Sequence, residues 1–129
     1  VLPGAGPTPE YRHNSIILPH RSNFFHPDLV NASDAVVGKA GYSTVSEVYH
    51  AGVPFGYVLR SNFRESKPLA AFIDGEMKGI ALKESDFSSG KWTFQIEHLL
   101  RMKRLQRMPV NGSDQIAGFI RKHILQNHA

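Results

Sequence analysis

An α/β fold with a partial, doubly wound parallel sheet and C-terminal helices is what this sequence predicts, on three observations. Residues 35–38 (Ala-Val-Val-Gly) form a continuous apolar run, the mark of a strand buried on both faces. A glycine turn, Gly38-Lys39-Ala40-Gly41, leads from that run into residues 44–51, which read as a helix closed by Gly52 with Pro54 just beyond. Residues 55–59 then form another apolar strand, and the alternation continues downstream, as a parallel sheet with right-handed crossovers requires.

Taken in order, Val1-Leu2 reads as the end of a buried strand. A first residue that is Val and not Met leads us to expect one partial domain, 1–129, of a longer protein. Pro3, Gly4, Gly6, Pro7 and Pro9 make residues 3–10 a loop. Residues 15–18 are a short apolar strand stopped by Pro19, and Pro27-Asp28-Leu29-Val30 opens a short helix. Residues 66–72 start a helix whose first turn can hold Pro68, and residues 79–82 make a small strand. Trp92, Ile96, Leu99 and Met102 recur at roughly helical spacing. So do Ile116, Ile120 and Ile124, with Phe119 alongside, and both stripes are expected in the core.

The 129 residues are 41% apolar and 20% charged, which suits a globular domain with a real core. Cysteine is absent, so neither disulfides nor a Cys-based metal site exist, which fits a reducing, cytoplasmic setting. No apolar run approaches the ~20 residues of a membrane span, and no signal-peptide pattern is present. The net charge of +4 suits anionic ligands. Its densest part, Arg101, Lys103, Arg104 and Arg107, reads as a solvated helix face. Without interleaved aromatic residues it argues against nucleic acid as a partner.

A strand that feeds a glycine turn and then a helix start is how α/β proteins hold phosphates, through bare backbone amides and the helix dipole. The simple phosphate motifs fail here. A P-loop needs glycine where Ser33 stands and Ser or Thr where Ala40 follows Lys39, and Gly-x-Gly-x-x-Gly is not spelled either. Gly4-Ala5-Gly6 reads as a turn. Thr44-Val45-Ser46-Glu47 has two readings: a capping box, or an acid about one turn into the helix that meets sugar hydroxyls. His13, His20 and His26 do not share a helical face and have no nearby acid or cysteine to complete a site, so no metal is expected.

The longer pattern is more specific. Pro27-Asp28-Leu29-Val30-Asn31-Ala32-Ser33-Asp34, Gly38-Lys39-Ala40-Gly41, Ser43-Thr44-Val45-Ser46-Glu47 and Ala51-Gly52-Val53-Pro54 together resemble the C-terminal, donor-binding lobe of GT-B-fold glycosyltransferases. The likeness is to the branch holding the peptidoglycan N-acetylglucosaminyltransferase and the UDP-glycosyltransferases. It covers about a third of the chain closely, within residues 27–72.

The resemblance implies a Rossmann-like half-domain that binds a nucleotide sugar, with a UDP-linked donor expected. In this scheme Gly41, Ser43 and Thr44 would sit against the donor diphosphate, and Lys39 would offset the leaving-group charge. Glu47 would accept from the ribose hydroxyls, and Leu18, Pro19 and His20 would flank the base. Arg64 and Glu65 fall where relatives read the donor sugar with an Asp-Gln or Gln-type pair, but Glu65 lacks an amide donor. A plain surface ion pair is the other reading of these two residues, as an exposed turn lysine is for Lys39.

No cofactor or metal is implied. The acceptor lobe of the same protein, which would supply the general base and any membrane association, is expected to lie outside this chain. The alternative is a non-catalytic binding or regulatory module that keeps the same scaffold.

Overall fold

The structure, a computed structural model, describes residues 1–106 and 112–125. Two three-stranded sheets organise it. In the first, β1 (Leu2–Pro3) runs parallel to β3 (Ser15–Leu18), and β2 (Glu10–Arg12) pairs antiparallel with the other edge of β3. In the second, β4 (Val36–Lys39), β5 (Phe55–Val58) and β6 (Gly79–Ala81) are parallel, in that order. The α/β class and its parallel sheet are thus as expected. The β2–β3 hairpin is a correction, because the segment expected to be loop contributes Pro3 to β1 and Glu10 to β2.

Helix α1 (His26–Ala32) precedes β4, α2 (Tyr42–Ala51) connects β4 to β5, and α3 (Ser66–Glu76) connects β5 to β6. Pro68 is the third residue of α3, where its missing N–H costs nothing because first-turn amides lack intrahelical acceptors. Val30, Val45, Val48, Leu69 and Ile73 from these helices bury with Phe55 and Tyr57 in one cluster. The strand buried throughout is β5, whereas β4, expected to be buried on both faces, is half-buried and ends in exposed Lys39. The hydroxyl of Tyr57 donates to Asp74 Oδ1 at 2.8 Å. Burial first, then that hydrogen bond and the negative charge of Asp74, push the phenol up to about 12.

The second half departs further from expectation. The stripe from Trp92 to Met102 is divided among a 3-10 turn, Lys91–Gln95, and a short helix, α5 (Ile96–Arg101), after α4 (Glu84–Ser89). Gly90, in the left-handed region, closes α4 and redirects the chain. Leu99 from this stripe is buried, but Ile96 is exposed. In α6 (Gly112–Ile120) and the π-helical turn after it, Ile116, Phe119, Ile120 and Ile124 are all exposed, against the expectation of core. No described element covers that face.

The basic cluster is not one helix face. Arg101 pairs with Glu97 on α5, but the helix ends at Met102 and Arg104 lies in the segment after it. The Arg104 guanidinium donates to the carbonyl of Ala51 at 2.7 Å and to the carbonyl and side-chain oxygen of Asn31 at 2.8 and 2.6 Å. It thereby ties the chain to the C-terminal ends of α1 and α2, where helix dipoles favour a cation. Arg107 lies outside the described residues.

Candidate functional site

Helix α2 starts without a side-chain cap. Its N-cap is Gly41, in extended geometry, and the first intrahelical bond runs from Val45 N–H to Gly41 O at 2.8 Å. The amides of residues 42–44 therefore have no acceptor within the helix. A Cβ on Gly41 or on Gly38 would meet nothing within 4 Å, so the space beside both is open.

The capping box is overturned by this start. Thr44 is the third helical residue and caps nothing, and Glu47 lies in the second turn, too far along to reach the helix entry. Its Oε2 instead lies 2.5 Å from Nδ1 of His26, the first residue of α1. Packing of α1 on α2 brings these residues together across 21 positions of sequence.

A cleft of about 490 Å³ opens between the two sheets. The cleft runs along β1 and β4 and reaches the carboxyl ends of β3 and β4 at Leu18 and Lys39, the side on which ligands enter open α/β sheets. Its wall contains Leu18, Pro19 and His20, the expected base-flanking residues, together with Lys39 and Thr44 from the phosphate group. His26, Ser22 and Phe24 also line it. Glu47 does not. It lines a neighbouring cleft of about 450 Å³ with Pro27, Asp28, Asn31, Ser46, His50 and Ala51. Gly41 and Ser43 adjoin Thr44 at the helix start without lining either cleft.

Arg64 and Glu65 stand apart, in neither wall. Arg64 is exposed, and the Glu65 carbonyl accepts from Leu69 N–H at 3.0 Å where α3 begins. No ion pair joins them among the described residues, so the surface-pair alternative is not what the structure shows. Among the described residues no cluster of His, Asp and Glu could hold a metal ion, and no helix is long and apolar enough to cross a membrane.

His26 lines the larger cleft and lies against Glu47, a placement that the sequence does not signal, because its partner is on a different helix and meets it only once α1 and α2 pack.

Two curated proteins are similar to this chain. An L-arabinokinase of Arabidopsis thaliana is 35% identical over 126 residues, covering 98% of this chain and 12% of that protein. A UDP-N-acetylglucosamine–N-acetylmuramyl-(pentapeptide) pyrophosphoryl-undecaprenol N-acetylglucosamine transferase of Bacillus licheniformis is 27% identical over 106 residues, 77% of this chain and 27% of the enzyme. The chain thus spans a minor part of either relative. No protein-family model matches it, and no solved structure matches it significantly.

Proposed function

We propose that this chain is the nucleotide-sugar-binding lobe of a glycosyltransferase, whose parent moves a hexosyl group from a UDP-linked donor to an acceptor. The observation that carries the proposal is the 490 Å³ cleft, which gathers Leu18, Pro19, His20, Lys39 and Thr44 at the carboxyl ends of two strands beside an uncapped helix start. The similarity to an N-acetylglucosamine transferase named for a UDP-sugar supports it. The similarity to an L-arabinokinase agrees in the coarser sense that both names concern sugars.

The chemistry follows from charge. A leaving nucleoside diphosphate gains negative charge, and free amides at residues 42–44 with the Lys39 ammonium would stabilise it without a metal. Glu47 would accept from ribose hydroxyls where the two clefts adjoin. A general base is not assigned within this chain, so the lobe alone is not expected to turn over substrate. Its partners would be the donor and an acceptor lobe in the same parent, in the cytoplasm.

The test is amide NMR shift mapping during a UDP titration of the labelled chain. Shifts confined to residues 18–20 and 38–47 are expected, and shifts elsewhere, or none into the millimolar range, would refute the nucleotide assignment. A second reading, a non-catalytic module on this scaffold, is favoured by the position of Arg64 and Glu65 outside both cleft walls. Nucleotide binding without sugar transfer by the intact parent would establish it.

A further inference from the structure

Two clefts meet at one hydrogen bond. His26 stands in the wall of the larger cleft and Glu47 in the wall of the smaller, and Nδ1 of the first lies 2.5 Å from Oε2 of the second. A carboxylate only accepts, so in the tautomer that makes this hydrogen bond Nδ1 is the donor. The imidazole is 66% exposed and the carboxylate 22%. With the imidazole largely in water the pair adds little to stability, and ordering both side chains opposes even that gain. Stability therefore leaves the arrangement unexplained.

The surroundings narrow what the bond can do. Asp28 and His50 share the smaller cleft with Glu47, and His20 and Lys39 share the larger one with His26. Among the described residues only His26 hydrogen-bonds the Glu47 side chain, so it is the polar contact that can hold that carboxylate in one orientation. Among the described residues no donor reaches Oε1, which leaves that oxygen able to accept from a ligand.

We propose that His26 is the positioning residue for Glu47, holding Oε2 so that Oε1 is set to accept from the ribose 2′-hydroxyl. This rests on the nucleotide assignment above and adds to it a residue outside the phosphate and ribose pattern. The free energy of fixing the carboxylate is spent in the empty site, so the ribose meets an acceptor already oriented.

The experiment is calorimetric titration of UDP and 2′-deoxy-UDP into the chain and into His26→Ala and His26→Asn. Asparagine places an amide nitrogen near where Nδ1 stands, so it keeps the donor and discards the rest of the ring. The unsubstituted chain is expected to prefer UDP. His26→Ala should shrink that preference by about fivefold, the effect of losing one well-placed hydrogen bond, with 2′-deoxy-UDP affinity unchanged. His26→Asn should restore it, which a merely structural loss would not predict.

An unchanged preference in His26→Ala would overturn the positioning role while leaving the nucleotide assignment intact. So would a preference lost equally in His26→Asn, or equal affinity for the two nucleotides in the unsubstituted chain. Failure of the unsubstituted chain to bind either nucleotide would remove the assignment and the positioning role together. His26 is exposed, so both variants are expected to keep the fold, which circular dichroism would check.

Discussion

The Leu105 amide donates to the carbonyl of Gly52 at 2.8 Å, while the Leu105 carbonyl oxygen overlaps the place where a Cβ on Gly52 would stand. Gly52 also has φ 68°, a left-handed conformation that closes α2, and its amide bonds back to Val48 O at 2.8 Å. Two independent demands thus fall on one residue: a backbone that favours glycine, and a neighbour that tolerates no side chain.

Gly52→Ala is therefore expected to destabilise the chain by more than the roughly 1 kcal/mol that left-handed geometry alone costs an alanine. The segment after α5 must move for the methyl to fit, so Arg104 should lose its bonds to Ala51 and Asn31. Urea denaturation gives the first effect, and loss of amide protection at Leu105 gives the second.

Tyr57 makes stability depend on high pH. Its phenol has an ordinary pKa of 10 and is pushed up to about 12 in the fold, so the folded state favours the protonated form. The contribution is full below pH 10 and is lost as pH rises from 10 through 12. Tyr57→Phe should cost about 1 kcal/mol at neutral pH, for one hydrogen bond to Asp74, and should flatten the fall above pH 10. Denaturation midpoints at pH 8 and 11 in both proteins check the sign.

Gly41 separates folding from binding. Its φ of −124° and ψ of 158° suit any residue, and an added Cβ meets no atom within 4 Å. Gly41→Ala should leave stability within about 0.5 kcal/mol of the parent. If a diphosphate sits against this backbone, the methyl should weaken UDP binding about tenfold, roughly 1.4 kcal/mol. Lys39→Ala should weaken it too, and should flatten its salt dependence.

The β2–β3 hairpin turns on His13 and Asn14, and His13 carries φ 47°. Glycine is more at ease there in a two-residue hairpin turn. His13→Gly should raise stability by about 0.5 kcal/mol, and His13→Val should lower it; thermal melts decide both.

Strands β3 to β6 and helices α1 to α3 were legible because each is an apolar run or stripe bounded by proline or glycine. β2 was not: Glu10-Tyr11-Arg12 is polar and largely exposed, so no burial pattern marks it. The α2 start was misplaced because Gly41 offers no side chain to read as a cap, and Thr44 supplied a plausible but idle one. Leu18, Pro19, His20 and Lys39 line one cleft, and the strand ends that bring them there are legible in the apolar runs, whereas the His26–Glu47 bond depends on helix packing that periodicity does not encode. The stripe of Ile116, Ile120 and Ile124 says that a face is apolar; it does not say what would cover it.

The strap formed by Arg104 and Leu105 also bears on the order of folding. Arg104 reaches back across 53 residues to Ala51, whereas β4, α2, β5, α3 and β6 follow one another with each strand paired to the next. Closing the longer loop costs more chain entropy and is rewarded only after the ends of α1 and α2 exist. On a ribosome, which delivers the N-terminal side first, the parallel sheet can assemble before Arg104 has emerged. The strap then acts as a late fastening: weakening it should hasten unfolding while leaving the rate of refolding nearly untouched.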